Sequence, residues 1–310
     1  MRGGVRAVTR ILRTLMPWLL AALVLPAAAE PLRLVRFGEP GEERPGLIDE
    51  EGRLRDLSAH VDDLSGAVLG RLDAIAMIDP ATLPRIRDER RLGPPVAGVR
   101  KIIAMGFNYA DHAAESDVEL PTEPLLFSKA VTALSGPFDD VVTPRGSTAM
   151  DYEAELVIVI GRTARYVDEA DALGYVAGFT VGHDVSERAF QRERGGQFVK
   201  GKSADTFAPI GPWLVPTAHI EDVQALGIRS RVNGELRQDS NTRHMVFGAA
   251  FAVSYISQFM TLEPGDLIFT GTPAGVGAGM DPPRWLQPGD VVEVSIDGLG
   301  TQRQTIVAPR

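Results

Sequence analysis

An unbroken apolar segment, residues 156–160 with the sequence LVIVI, limits the folds open to this chain more than any other feature. Such a run of β-branched and aliphatic residues favours a strand that is buried in a hydrophobic core. The residues just before it include three acids, Asp151, Glu153 and Glu155. A buried carboxylate is costly unless a positive charge meets it. The segment therefore predicts a core strand whose entrance carries negative charge that the fold must neutralise.

The composition is that of an ordinary globular protein. Of 310 residues, 44% are hydrophobic and 24% are charged, which excludes disordered and fibrous classes and allows a large core or two domains. The formal net charge is −9, and the globular part has no basic run, which argues against a nucleic-acid binder. The chain has no cysteine, so disulfides, thiolate zinc sites and cysteine nucleophiles are excluded.

Residues 1–29 differ in kind from the rest of the chain. A stretch with arginines and no acid precedes an apolar run at 15–25 and three alanines at 27–29, a pattern typical of a signal peptide for export. The apolar run is shorter than the roughly 20 residues that span a bilayer, so no stable membrane span is expected. Cleavage would give a periplasmic or exported protein, whereas an upstream start codon would give a non-native extension on a cytoplasmic one.

The remainder of the chain is predicted to divide once. Residues 30–95 contain short alternating segments separated by Gly, Pro and acidic turns, and then a helical stretch at 64–78, which predicts a small α+β domain. The consecutive prolines of LGPP, at 92–95, favour a linker. The second domain is then predicted to cover residues 96–310.

Strands and explicit turns dominate this second domain. One long helix is predicted there, beginning at Thr242 as N-cap and ending before Pro264. The apolar runs predict strands at 101–105, 156–160, 176–181, 228–232, 267–270 and 291–296.

The carboxylates near the apolar run can be interpreted in two ways. Side chains of a strand alternate between faces, so Glu153 and Glu155 point to the same side. A solvated sheet face or a set of ion pairs would accommodate them. Alternatively, the two carboxylates hold a divalent cation, because carboxylate oxygens are preferred ligands of Mg²⁺, Mn²⁺ and Ca²⁺. Asp151 falls on the same face and is expected in a turn or an ion pair.

Three further segments carry candidate functional side chains. In GFNYADHAAE, a helix starting near Tyr109 would place His112 and Glu115 on one face, which suits a general base oriented by a carboxylate, or simply a surface histidine beside a solvated glutamate. In VGHDVSER, Asp184 is a third metal ligand or a helix N-cap. In KGKSADTF, Lys202 contacts an anion or lies in a solvated loop.

Taken in order, these segments closely resemble the fumarylacetoacetate hydrolase family. The resemblance covers about residues 98–308, through GFNYADHAAE, DYEAELVIVIG, GFTVGHDVSERAFQ and PGDLIFTGTPAGVG. The start, PLRLVRFGEPGEERPGLIDEEGRLRDLS, resembles a subgroup that includes 2,4-diketo-3-deoxy-L-fuconate and rhamnonate hydrolases, many relatives of which carry a ureidoglycolate lyase label. The resemblance implies an α+β fold, with a small N-terminal domain before a mixed β-roll catalytic domain with flanking helices, and a homodimer.

The resemblance also implies a role for each candidate side chain. It makes Glu153, Glu155 and Asp184 the ligands of Mg²⁺ or Mn²⁺. It makes His112 and Glu115 a dyad that activates water, and Lys202 the residue that stabilises an oxyanion. It also implies substrate contacts at Gln191, Thr272 and Lys129. For Lys129, a structural ion pair is the alternative.

The implied activity is hydrolysis of the C3–C4 bond of a 2,4-dioxo acid, expected to be a 2,4-diketo-3-deoxy sugar acid, with release of pyruvate. Ureidoglycolate lyase, 2-hydroxy-dienedioate isomerase and oxaloacetate decarboxylase are alternatives within the family. The presence of both His112 and Glu115 favours hydrolysis, which needs an activated water. An exported solute-binding protein is the alternative from another class, but such proteins alternate strands and helices in two lobes, unlike this pattern.

Overall fold

The computed structural model of the chain describes Met1, Gly4 and residues 31–309. The predicted export signal at 1–29 falls outside the described residues, apart from Met1 and Gly4, and stays a prediction. Within the described part, no helix is long and apolar enough to cross a membrane. The chain from Pro31 onward forms one compact unit, and the domain boundary near residue 95 also stays a prediction.

The first part of this unit is a small antiparallel sheet. Its strands are β1 (Arg33–Phe37), β2 (Arg44–Ile48), β3 (Leu54–Asp56) and, after helix α1 (Leu72–Ala76), β4 (Leu92–Gly93), in the spatial order β3-β2-β1-β4. A 3-10 helix precedes α1, and together they account for the helical stretch predicted at 64–78. Leu92 and Gly93 pair with β1, so half of the predicted linker belongs to the sheet.

Strands dominate the chain after β4, as predicted. Each of the six strands predicted in this region is present, with ends shifted by at most two residues. In chain order the elements are β5 (Ile102–Gly106), α2 (Ala110–Glu115), β6 (Leu125–Lys129), β7 (Leu134–Ser135), β8 (Val141–Val142), β9 (Met150–Asp151), β10 (Ala154–Ile160), β11 (Val176–His183), β12 (Ser186–Glu187), α3 (Arg188–Glu193), α4 (Val199–Lys202), β13 (Ala208–Pro209), β14 (Val215–Pro216), β15 (Gly227–Val232), β16 (Glu235–Asn241), α5 (Ala249–Ser257), β17 (Leu267–Phe269), β18 (Val291–Ile296) and β19 (Gly300–Val307).

Two larger sheets organise these strands. A six-stranded mixed sheet has the order β14-β11-β10-β17-β5-β6, with β17 and β5 parallel and the other neighbours antiparallel. A five-stranded sheet has the order β16-β15-β18-β19-β8. The apolar run lies in β10, between β11 and β17, and all its residues are buried. This mixed arrangement of sheets and short helices confirms the predicted α+β class.

The long helix predicted to begin at Thr242 starts later than expected. Residues Thr242–His244 form a 3-10 helix, and α5 begins only at Ala249. The Thr242 hydroxyl does not cap a helix; it donates to the Val223 carbonyl at 2.7 Å and accepts from the Leu226 amide at 2.9 Å. The prediction was wrong here because these long-range hydrogen bonds override a local helical pattern.

Candidate active site

The pairing of β10 with β11 brings the three predicted metal ligands together. Ala154 pairs with His183, Glu153 and Glu155 flank Ala154, and the amide of Asp184 donates to the Glu153 carbonyl at 3.0 Å. Because side chains alternate along strands, these carboxylates share one face of the pair. One oxygen from each carboxylate lies within 4.8 Å of the other two.

The chemistry of this cluster fits a hard divalent cation. All three donors are carboxylates, which suit Mg²⁺ and Mn²⁺, and all three side chains are buried. Burial, together with the negative charges of Asp184 and Glu153, raises the pKa of Glu155 well above its usual range. A cation among these oxygens would relieve that repulsion, so the residues present fit such an ion.

Three basic side chains neutralise part of the cluster. The Lys202 Nζ lies 2.7 Å from Glu153 Oε2 and 2.8 Å from Asp184 Oδ2, and Lys129 contacts the other oxygen of Asp184. The Arg188 Nη2 lies 2.7 Å from Glu153 Oε1. Although burial alone raises the pKa of Glu153, the charges of Lys202 and Arg188 hold it below its usual range.

Glu155 lacks such a counter-charge. Among the described residues, no lysine or arginine forms an ion pair with it, and its Oε2 accepts a hydrogen bond from the Gly271 amide at 2.8 Å. A neutral donor offsets a buried negative charge less than a cation does. Glu155 is therefore the carboxylate of the cluster that gains most from a bound cation.

Helix α2 places His112 and Glu115 as the sequence predicts. The His112 Nδ1 and Glu115 Oε2 are 3.2 Å apart, and the ring of His112 stacks on Phe107 with a centroid distance of 5.7 Å. The other Glu115 oxygen accepts from the Gly275 amide at 2.8 Å. These contacts fix the imidazole and leave its Nε2 as the nitrogen available to a water or a substrate.

The glycine-rich loop after β17, with the sequence GTPAGVGAG at residues 271–279, holds three carboxylates through backbone amides. These bonds are 2.7 to 2.8 Å long and run from Gly271 to Glu155, from Gly275 to Glu115 and from Gly277 to Asp151. One loop thus ties a predicted metal ligand, the His112–Glu115 pair and the ion-paired Asp151 together. In the sequence, only the repeated glycines indicated that this loop could approach other groups closely, because glycine has no side chain.

Arg188, at the start of α3, is a site residue to which the sequence assigned no role. Its Nε donates to Asp151 Oδ2 at 2.8 Å and its Nη1 donates to Gln191 Oε1 at 3.1 Å, in addition to the contact with Glu153. The ion pair expected for Asp151 is therefore present. Arg188 connects the carboxylate cluster with the predicted substrate contact Gln191.

One cleft brings most of the predicted residues together. Three predicted residues do not line the cleft: Asp184, Glu115 and Lys129. Glu115 contacts the lining residue His112, and Lys129 contacts Asp184. The roles of Gln191, Thr272 and Lys129 as substrate contacts stay predictions. The predicted residues that line the cleft are His112, Glu153, Glu155, Gln191, Lys202 and Thr272, joined by Arg188, Arg192 and the rings of Phe107, Phe127 and Phe198.

Comparisons with known proteins identify related sequences and structures. A family model described as fumarylacetoacetate (FAA) hydrolase C-terminal matches residues 101–307. A presumed hydrolase from Burkholderia multivorans is 50% identical over 282 residues, which cover 90% of this chain and 100% of the relative.

Two solved structures have similar folds. Fumarylacetoacetate hydrolase from Exiguobacterium antarcticum is 38% identical, with a TM-score of 0.78, over 89% of this chain and 99% of that one. Maleylpyruvate hydrolase from Sphingobium sp., solved with manganese(II) and pyruvate, is 31% identical, with a TM-score of 0.74, over 90% of this chain and 100% of that one.

Proposed function

Because the chain belongs to the fumarylacetoacetate hydrolase family, we propose that it is a Mg²⁺- or Mn²⁺-dependent hydrolase of 2,4-dioxo acids that releases pyruvate. The first substrate class that we propose is a 2,4-diketo-3-deoxy sugar acid, and the proposed assembly is a homodimer. One observation carries the proposal: a buried carboxylate cluster opens onto the same cleft as a histidine held by a glutamate and a buried lysine.

Each residue of the cleft has a part in this reaction. A divalent ion held by Glu153, Glu155 and Asp184 would supply Lewis-acid polarisation and a fixed anchor for substrate oxygens. Glu115 orients His112, which takes a proton from water as the water oxygen bonds to C4 of the substrate. Lys202 donates to the oxyanion that forms on C4.

Bond cleavage then needs no further group from the protein. The oxyanion collapses to a carboxylic acid, and the C3–C4 bond breaks with its electron pair moving to C3. The proton held by His112 returns to C3, which completes the methyl group of pyruvate. Water is thereby divided between the two products, and His112 regains its neutral form.

The proposal is tested with a substrate panel, in which pyruvate is measured for the dioxo acids and oxaloacetate, glyoxylate for ureidoglycolate, and the isomerised product for the dienedioate. Purified protein is incubated with acetylpyruvate, a 2,4-diketo-3-deoxy sugar acid, oxaloacetate, ureidoglycolate and a 2-hydroxy-dienedioate, first with chelator and then with Mg²⁺ or Mn²⁺ added back. We expect a dioxo acid to be cleaved only after the metal is restored. Pyruvate release from a dioxo acid that survives complete chelation would contradict the metal-dependent mechanism.

A substrate with a second carboxylate is the alternative that one side chain favours. Arg192 lines the cleft and forms no ion pair with a carboxylate of the described residues. Partial desolvation and the nearby positive charge of Arg188 lower the pKa of Arg192, an exposed residue, yet a guanidinium stays charged near neutral pH. This cation suits the far carboxylate of a dicarboxylic dioxo acid or of a 2-hydroxy-dienedioate, the substrate of an isomerase.

Arg192→Leu separates the two substrate classes. If Arg192 binds a terminal carboxylate, the variant should raise KM for succinylpyruvate about tenfold or more, because a hydrogen bond to a charged group contributes roughly 1.5–3 kcal/mol. KM for acetylpyruvate, which has no second carboxylate, should not change. Arg194→Leu is the matched control, since Arg194 is exposed, packs over Phe190 and lies outside the cleft lining. If KM changes equally for both substrates, Arg192 does not recognise a terminal carboxylate, and the sugar acid stays the proposed substrate class.

Gly279 allows a test of the dyad that removes no functional group. A Cβ atom at Gly279 would lie 2.1 Å from the Glu115 Cδ, so Gly279→Ala must displace the carboxylate that orients His112. Because misplacement by about 1 Å can reduce a rate by about 100-fold, we expect a kcat loss of that order with the circular dichroism spectrum unchanged. Gly174→Ala is the control, as nothing lies within 4 Å of its added Cβ. Equal kcat values for the two variants would speak against the dyad.

A further inference from the structure

On the side of β10 that faces β17, no strand of the described residues pairs with Ala154. Strand β17 pairs with residues 157, 158 and 159 of β10 only. Yet a buried backbone amide or carbonyl needs a hydrogen-bond partner. Two side chains from distant parts of the chain take the place of the missing strand. The Ala154 amide donates to Gln238 Oε1 at 3.0 Å, and the Ala154 carbonyl accepts from Thr272 Oγ1 at 2.8 Å.

The same two side chains are bonded to each other, which closes a ring. The Gln238 Nε2 donates to Thr272 Oγ1 at 2.7 Å and to the Pro273 carbonyl at 2.8 Å. Gln238 is fully buried, so its amide group is held entirely by protein atoms. The ring clamps the peptide groups on both sides of Ala154, the two through which this residue is joined to Glu153 and Glu155.

A β-bulge places Gln238 in this position. Ser230 pairs with Gln238 but Arg231 pairs with Leu236, so Arg237 is an extra residue in β16. Bulges redirect the neighbouring side chains and are frequent near active sites. The glycine-rich loop packs directly on this bulge, because a Cβ atom at Gly275 would lie 2.1 Å from the Arg237 carbonyl oxygen.

We propose that Gln238 is a positioning residue that sets the separation and direction of the Glu153 and Glu155 carboxylates. Glu153 and Glu155, which flank Ala154, can bind the same ion together only when the backbone between them is rigid. Gln238 supplies that rigidity, and through Pro273 it also anchors the loop whose Gly275 amide holds Glu115. The inference rests on the metal-binding part of the proposed function.

The test is Mn²⁺ affinity, measured by electron paramagnetic resonance of free Mn²⁺ on the purified full chain without substrate. Gln238→Leu keeps the volume of the side chain but removes its hydrogen bonds, and we expect affinity to fall about 10- to 100-fold, as for other groups that orient metal ligands. Gln302→Leu is the matched control. Gln302 is also fully buried and lies in the same cross-strand row, linked to Gln238 through Ser230 and Val294, but it does not contact the ring.

A second pair of variants covers the case in which Gln238→Leu does not fold. Thr272→Val removes the hydroxyl of the ring at nearly constant shape, and Thr272→Ser keeps it. We expect weak Mn²⁺ binding for valine and near wild-type binding for serine. Equal Mn²⁺ affinity in the wild type, Gln238→Leu and Thr272→Val overturns the proposal, and so does an equal loss in Gln302→Leu or in Thr272→Ser.

The outcome is distinguishable from failure of the proposed function. Normal Mn²⁺ binding by the wild type with no dioxo acid cleaved would refute the proposed reaction while the affinities of the variants still decide the role of Gln238. A wild-type chain that binds no Mn²⁺ at millimolar concentration would overturn both.

Discussion

Glu155→Gln is expected to abolish pyruvate release and, in metal-free protein, to raise the melting temperature. Activity should fall at least about a thousandfold, because a metal ion used as a Lewis acid contributes several kcal/mol and each 1.36 kcal/mol is tenfold in rate. Stability should rise because Glu155 is buried beside two other carboxylates without a cation of its own. Glutamine keeps the acceptor for the Gly271 amide and carries no charge.

The gain in stability depends on pH in a defined direction. Burial, then Asp184 and Glu153, raise the folded-state pKa of Glu155 above its ordinary value of 4.5. Below about pH 4.5, the Glu155 carboxyl is protonated in both the folded and the unfolded chain and has no net effect on stability. As the pH rises from about 4.5 towards the folded-state pKa, the unfolded chain releases a proton that the folded chain keeps, so stability is lost. Glu155→Gln should remove this loss, and chelator-treated samples melted at pH 4 and pH 8 would show it.

Glu153→Gln provides the contrast that makes the result specific. It should also abolish activity, but it should lower the melting temperature at neutral pH, because Lys202 and Arg188 lose a buried counter-charge. With Mn²⁺ present, both variants should lose the stabilisation that the ion gives to the wild type. If Glu155→Gln kept full activity, or if both variants melted lower than the metal-free wild type at pH 8, the account of the cluster would be wrong.

His112→Ala is the second prediction with a large expected effect. Hydrolysis of a dioxo acid should fall about 10²- to 10⁴-fold, the contribution typical of a general base. Mn²⁺ affinity should stay within about twofold, because His112 is not a ligand of the predicted cluster. Any decarboxylation of oxaloacetate should survive, since loss of CO₂ needs no activated water.

Two controls complete that experiment. His60→Ala removes an exposed histidine and should leave all rates unchanged. Glu115→Gln keeps a side chain of similar shape beside the imidazole and should reduce hydrolysis less than His112→Ala does, because it only weakens the orientation of the base. Hydrolysis that is unaffected by His112→Ala would exclude His112 as the general base.

Local patterns predicted much of the fold and part of the site. Apolar runs and turns located six of the eleven strands of the two larger sheets within two residues, because burial of a run depends mainly on its own composition. The spacing of His112 and Glu115 was correct because both lie on one short helix. Local patterns gave the wrong start for helix α5, because hydrogen bonds to residues distant in sequence fix the backbone at Thr242. Its hydroxyl bonds the Val223 carbonyl and the Leu226 amide.

The sequence by itself determined that a buried strand carries carboxylates at its entrance, with a histidine and a glutamate one helical turn apart elsewhere. Only the tertiary structure decided how those carboxylates are held. Arg188 meets Glu153 and Asp151, Gly271 meets Glu155, and Gln238 meets Ala154 across separations of 35 to 116 residues. Such contacts leave no periodic trace in the chain, because a hydrogen bond across the fold depends on where two elements meet and not on the residues adjacent in sequence.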